Sequence, residues 1–81
     1  MGTVVMERSV GEAVTDENIE QMKKATEVCL EVNGVVRTIT YLSSDRKRFV
    51  CVFEAPDVEA VRRALESAGM DYERIWPATS F

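Results

Sequence analysis

Few side chains in this chain could do chemistry, and they are of few kinds. None of its 81 residues is histidine, so acid–base work falls to carboxylates and recognition of charge to arginines. Two acids adjoin runs of strand-forming residues: Glu7 follows Val4-Val5-Met6, and Glu54 follows Phe49 to Phe53. A carboxylate partly removed from water has a raised pKa and can exchange a proton near neutral pH. The bland alternatives are a solvated or arginine-paired Glu7 near a strand end, and a Glu54 that ties down the turn after its strand. Arg8, Arg37 and Arg74 carry forks that match a carboxylate or phosphate. Tyr72 and Trp76 flank Arg74 at alternating positions, so the three are expected on one strand face. That grouping suits a flat anion, or an ordinary protein interface, where Trp, Tyr and Arg are the usual anchors. Cys29 and Cys51 lie far apart without a CxxC spacing, which is neither a disulfide framework nor a zinc signature. Cys51 sits between Phe49 and Phe53 and has no imidazole to activate it, so core is the expected role. Met6, Met22 and Met70 are expected there too.

Six elements must position these residues. Thr3 to Ser9 has the pattern of a strand. Thr15 offers an N-cap, with Asp16 and Glu17 favouring the helix dipole. Ile19, Met22, Thr26, Cys29 and Leu30 then recur at helical spacing up to Asn33-Gly34, a C-terminal stop. Val35 to Leu42 is rich in β-branched residues and predicts a second strand. Ser43 to Lys47 is a polar turn, and Arg48 to Glu54 is a strand apolar on both faces. Pro56-Asp57 opens a second helix with the stripe Val58, Val61, Ala64, Leu65 and Ala68, closed by Gly69. Tyr72 to Ala78 is the last strand, and Pro77 places it at an edge.

The order β-α-β-β-α-β predicts an α+β, ferredoxin-like fold: a four-stranded antiparallel sheet in the order 4-1-3-2 with both helices on one face. Residues 1–81 are expected to form one domain, whose small size gives a thin stability margin and favours a dimer. With Val4 and Met6 toward the helices, alternation sends Val5 and Glu7 to the face no helix covers, beside Val50 and Val52. Such a face calls for a partner or ligand. The first and third strands run antiparallel, so Glu7 and Glu54 belong at opposite ends of the sheet within one chain.

Charge narrows the partners. The net charge is −4, with 46% hydrophobic and 30% charged residues, a composition that excludes a disordered chain. The stretch Val35 to Val50 carries Arg37, Arg46, Lys47 and Arg48 against Asp45 alone, so one basic loop stands on an acidic body. A solvated hairpin tip is the expected reading of that loop. RNA-recognition modules of this fold need a glycine and alternating aromatics after the basic start of the third strand. Arg46 to Phe53 lacks the glycine and the spacing, so no nucleic-acid partner is expected. Met1 to Val10 has neither a basic start nor a long apolar run, and no stretch approaches 18 apolar residues. A reduced cytoplasm, without a membrane, is the expected setting.

The string Cys51-Val52-Phe53-Glu54-Ala55-Pro56-Asp57, with Ala60-Val61-Arg62, Ala68-Gly69 and Glu73-Arg74-Ile75, resembles a family of small bacterial proteins, mostly domains of unknown function. Glu7-Arg8 and Tyr41-Leu42-Ser43 fit the same pattern, so the resemblance spans nearly the whole chain. It implies a ferredoxin-like fold similar to the dimeric α/β-barrel proteins, and a homodimer. At least one relative is described as nickel-binding through histidines. This chain has no histidine to receive that role, and nickel prefers imidazole and thiolate donors, so no residue is assigned to the metal.

These readings combine into one expectation: a small homodimeric binding protein that takes a metal ion or small ligand at the sheet face or dimer interface. Its site residues would be Glu7, Tyr41, Glu54, Arg74 and Trp76. Two alternatives stay open. One is a cofactor-free enzyme on a small organic molecule, with Glu7 as acid/base and Tyr41 or an arginine orienting the substrate. The other is a structural or regulatory module whose sheet face serves only to dimerise.

Overall fold

A computed structural model describes residues 2–81. Strand β1 (Gly2–Ser9) is followed by helix α1 (Asp16–Val32), strands β2 (Val36–Leu42) and β3 (Arg48–Ala55), helix α2 (Val58–Ser67) and strand β4 (Arg74–Ala78). The strands form one antiparallel sheet in the order β2-β3-β1-β4. This is the expected 4-1-3-2 arrangement seen from the other edge, and the α+β, ferredoxin-like class holds. Pro77 lies in β4, an edge strand, where its missing N–H costs no ladder bond on the outer side.

The helix ends follow the sequence signals. Thr15 Oγ1 accepts from the Asn18 N–H while the Thr15 N–H donates to Asn18 Oδ1, both at 3.1 Å, a reciprocal capping box at the start of α1. Asp57 caps α2 by accepting from the Ala60 N–H at 2.8 Å. Gly34 and Gly69 end the helices in the left-handed region, at φ 69° and 70°.

The core fills the space between the helices and one sheet face. Val4 and Met6 of β1, Phe49, Cys51 and Phe53 of β3, Leu30 of α1 and Val61, Ala64 and Leu65 of α2 are all buried there. Ile19, Met22, Cys29 and Met70 pack against it. Among the described residues, no helix is long and apolar enough to cross a membrane.

Four strand boundaries and one loop differ from the sequence expectation; β3 runs one residue further, to Ala55. β2 begins at Val36, because the Val35 N–H is taken by the Leu30 carbonyl at 2.9 Å and its side chain is buried. β4 begins at Arg74, not Tyr72, whereas β1 begins one residue early, at Gly2. The basic hairpin tip is tied down rather than solvated throughout. Arg46 takes a left-handed φ of 62°, a conformation costly for a residue with a Cβ. It is held there by hydrogen bonds from its Nε to the Val14 carbonyl and from its NH2 group to Asp16, both at 2.6 Å. The Val14 N–H donates back to the Arg46 carbonyl at 2.9 Å, so the hairpin is pinned to the segment leading into α1.

Candidate functional site

Residues directly opposite in an antiparallel pair project to the same side of the sheet, so the register defines the face turned away from the helices. Three cross-strand rows result. Tyr41, Val50, Glu7 and Arg74 form one, and Ile39, Val52, Val5 and Trp76 the next. Val36, Glu54, Thr3 and Ala78 form the third. Val36, Ile39, Tyr41 and Trp76 are large apolar side chains left 42–59% exposed. Val5, between Val52 and Trp76 in the middle row, is buried without any helix above it.

A bulge in β2 between Arg37 and Ile39 makes this clustering possible. Strict alternation would send Ile39 and Tyr41 to the face opposite Val36. The extra residue, Thr38, resets the phase so that all three join the open face.

Glu7 is the polar centre of the face. Its side chain is 24% exposed. Trp76 Nε1 donates to Glu7 Oε2 at 2.9 Å, and Arg48 lies 3.9 Å from Oε1. The structure thus brings Glu7 and Trp76 together, with Arg74 directly opposite Glu7 on β4. Around them Glu73 is held below the usual carboxylate range, mainly by hydrogen bonds from Ser9 and then by the nearby charges of Arg48 and Arg74. Tyr41 lies in the same row, two strands from Glu7, and is 59% exposed. Glu54 is at the far end of β3, where it accepts from Thr3 Oγ1 at 2.8 Å. The two acids are therefore separated within the chain, as strand polarity requires.

Tyr72 does not share a face with Arg74 and Trp76. It precedes β4, packs against the core, and its hydroxyl accepts from Arg62 Nε at 3.1 Å. Alternation applies only inside a strand, and the strand starts two residues later. Arg48 is the participant that sequence reasoning missed. Its signal was its place as first residue of β3, on the same face as Val50 and diagonal to Glu7 in the antiparallel register.

The donor chemistry does not fit nickel within one chain. Among the described residues, no three His, Cys, Asp or Glu side chains converge on a point. Burial raises the Cys51 pKa, outweighing the hydrogen bond from Thr40 and the charges of Arg37 and Arg8, which disfavours the thiolate a metal needs. Cys29 lies apart on α1.

Residues 5–77 match the family described as nickel responsive protein, SCO4226-like. The chain belongs to that family. Its structure is similar to the crystal structure of SCO4226 from Streptomyces coelicolor A3(2), with a TM-score of 0.87, 19% sequence identity and 98% of each chain covered. At that identity the likeness carries the fold. No curated protein matches the chain in sequence. The SCO4226-like family membership and the open, four-stranded face together frame the functional question.

Proposed function

We propose that this chain is a small homodimeric binding protein that takes a small ligand or metal ion between the open sheet faces of two copies. The observation that carries this is the content of that face. The face carries four exposed apolar side chains, and in its end row a carboxylate that accepts from Trp76 and lies 3.9 Å from Arg48. A face this apolar needs a cover, and a second copy supplies an equally apolar one by two-fold symmetry. Glu7, Tyr41, Arg74 and Trp76 would line the space between the sheets, with Glu54 at its rim. Trp76 holds one Glu7 oxygen in place while the other faces the largely exposed Arg48, so the carboxylate keeps acceptor positions to offer a ligand. A response to nickel, the family's description, would require carboxylates from both copies, since one chain's donors do not suffice. The two free cysteines support a reducing, cytoplasmic setting.

Native mass spectrometry of untagged protein purified without added metal, followed by nickel titration, tests this reading. A dimer carrying nickel at fixed stoichiometry supports a metal held by both copies. A dimer that ignores nickel but carries a co-purified organic mass supports the small-ligand form. A monomer at micromolar concentration overturns the proposal.

A further inference from the structure

Met70 directly follows Gly69, the left-handed end of α2, and its backbone N–H donates to the Leu65 carbonyl at 2.9 Å. Its side chain is half-buried and packs against the core. The NH1 group of Arg8 donates to its sulfur at 3.2 Å. Among the described methionines, Met6, Met22 and Met70, only this sulfur accepts a hydrogen bond. A thioether is a weak acceptor, so the guanidinium is matched there with a poor partner. The Nε of the same guanidinium is buried and has no partner among the described residues. Arg8 is set in this place from β1, where it stands opposite Phe49 with its guanidinium 5.7 Å from the ring centroid.

Arg8 and Met70 both line a space of about 20 Å³ between α1 and the sheet. Such a space has room for one water-sized particle, and therefore for a single added oxygen atom. Oxidation of a methionine adds one oxygen and turns an apolar thioether into a polar sulfoxide. In a core this is disruptive, because the new oxygen meets no donor. Met6 is such a case, 1% exposed and enclosed by apolar side chains. At Met70 a donor already points at the sulfur, and a second N–H of the same group is unused. A sulfoxide oxygen is a far better acceptor than a thioether, and a hydrogen bond from a guanidinium is charge-assisted.

We infer that Met70 is a modification site for hydrogen peroxide and similar two-electron oxidants, with Arg8 as the group that receives the sulfoxide. In this step a sulfur lone pair attacks one peroxide oxygen, an S–O bond forms and the O–O bond breaks. The proton on the transferred oxygen passes to the departing hydroxide, which leaves as water. Sulfur is oxidised and peroxide is reduced. The product fastens the end of α2 to β1 through a stronger hydrogen bond, and a methionine sulfoxide reductase would undo it. The site lies on the helix side of the sheet and is independent of what the open face binds.

Mild peroxide treatment tests this, followed by catalase, by dithiothreitol to restore any oxidised thiols, and by peptide mass mapping and thermal melts at one protein concentration. The expected result is one oxygen gained at Met70 while Met6 stays reduced, with a rise in Tm of roughly 4–8 °C, the shift one net hydrogen bond gives in a domain of this size. Met70→Leu, carried through the same treatment, controls for oxidation elsewhere and should show no rise. In Arg8→Lys, which keeps the charge but loses Nε and the fork, oxidation of Met70 should lower Tm instead. If that variant does not fold, Met70→Gln, whose amide oxygen can take the place of the sulfoxide oxygen, should melt above Met70→Leu. Met70 still reduced when Met22 is fully converted, a wild-type Tm that stays level or falls on oxidation of Met70, or a Met70→Gln variant that melts below Met70→Leu would overturn the assignment.

Discussion

Replacing Ile39 with Asp separates the stability of the chain from its assembly. Ile39 is on the edge strand β2, opposite Val52, and is 44% exposed. In the isolated chain an Asp there meets water, so the loss comes mainly from the poor strand preference of Asp, about 1 kcal/mol. In a two-fold dimer through the open face, the same substitution enters the interface twice. Each carboxylate would lose water against Val52, Val5 and Trp76 of its own row, with no cation in that row to receive it. A buried polar group left unsatisfied costs at least about 2 kcal/mol. Two of them cost about 4 kcal/mol, which weakens the dimer roughly a thousandfold. Sedimentation equilibrium over a concentration series would read the association, and circular dichroism melts would read the fold. The expected outcome is a folded monomer at concentrations where the wild type is dimeric. Ile39→Thr, which keeps the β-branch, should weaken association far less. If I39D associates within threefold of the wild type, the open face is not the interface and the assignment of Glu7 to a space between sheets falls with it.

Two further outcomes follow from the site and the core. Glu7→Gln keeps an oxygen that can accept from Trp76 but loses the charge facing Arg48. Because Arg48 is 62% exposed, the fold should lose less than about 1 kcal/mol, while ligand or nickel uptake in native mass spectra should disappear; retained uptake would show that Glu7 is not a site residue. Burial raises the Cys51 pKa, so the folded chain holds that proton more tightly than the unfolded one. This contribution is fully present below the unfolded thiol value, about 8.5, and is lost as pH rises through the folded value. Urea midpoints should therefore fall more steeply above that pH in the wild type than in Cys51→Ala, and parallel curves would refute a buried, protonated thiol.

Much of the fold was legible because local signals agreed with one another. Thr15, Asp57, Gly34 and Gly69 mark the helix ends by chemistry that needs no distant partner. The alternation of Phe49, Cys51 and Phe53 against Val50 and Val52 set the two faces of β3, and the element order set the topology. The open face followed from the element order, and β1 alternation put Val5 and Glu7 on it once Val4 and Met6 were taken to face the helices, as they do. The separation of Glu7 from Glu54 followed from strand polarity.

What the tertiary structure decided was phase and partnership. The bulge at Thr38 moved Ile39 and Tyr41 to the open face, and no local residue signal marks it, because a bulge depends on how β2 pairs with β3. The start of β4 at Arg74 turned Tyr72 toward the core and Arg62, breaking the expected aromatic bracket around Arg74. Arg48 reached Glu7 only through the antiparallel register, and Arg46, whose side chain stays 40% exposed, is tied down only because Val14 and Asp16 lie within its reach. Residue types determine which elements form and which chemistry is on offer, since capping and periodicity act over a few residues. Which charges meet is set by pairing between segments far apart in the chain, and that is a property of the folded sheet.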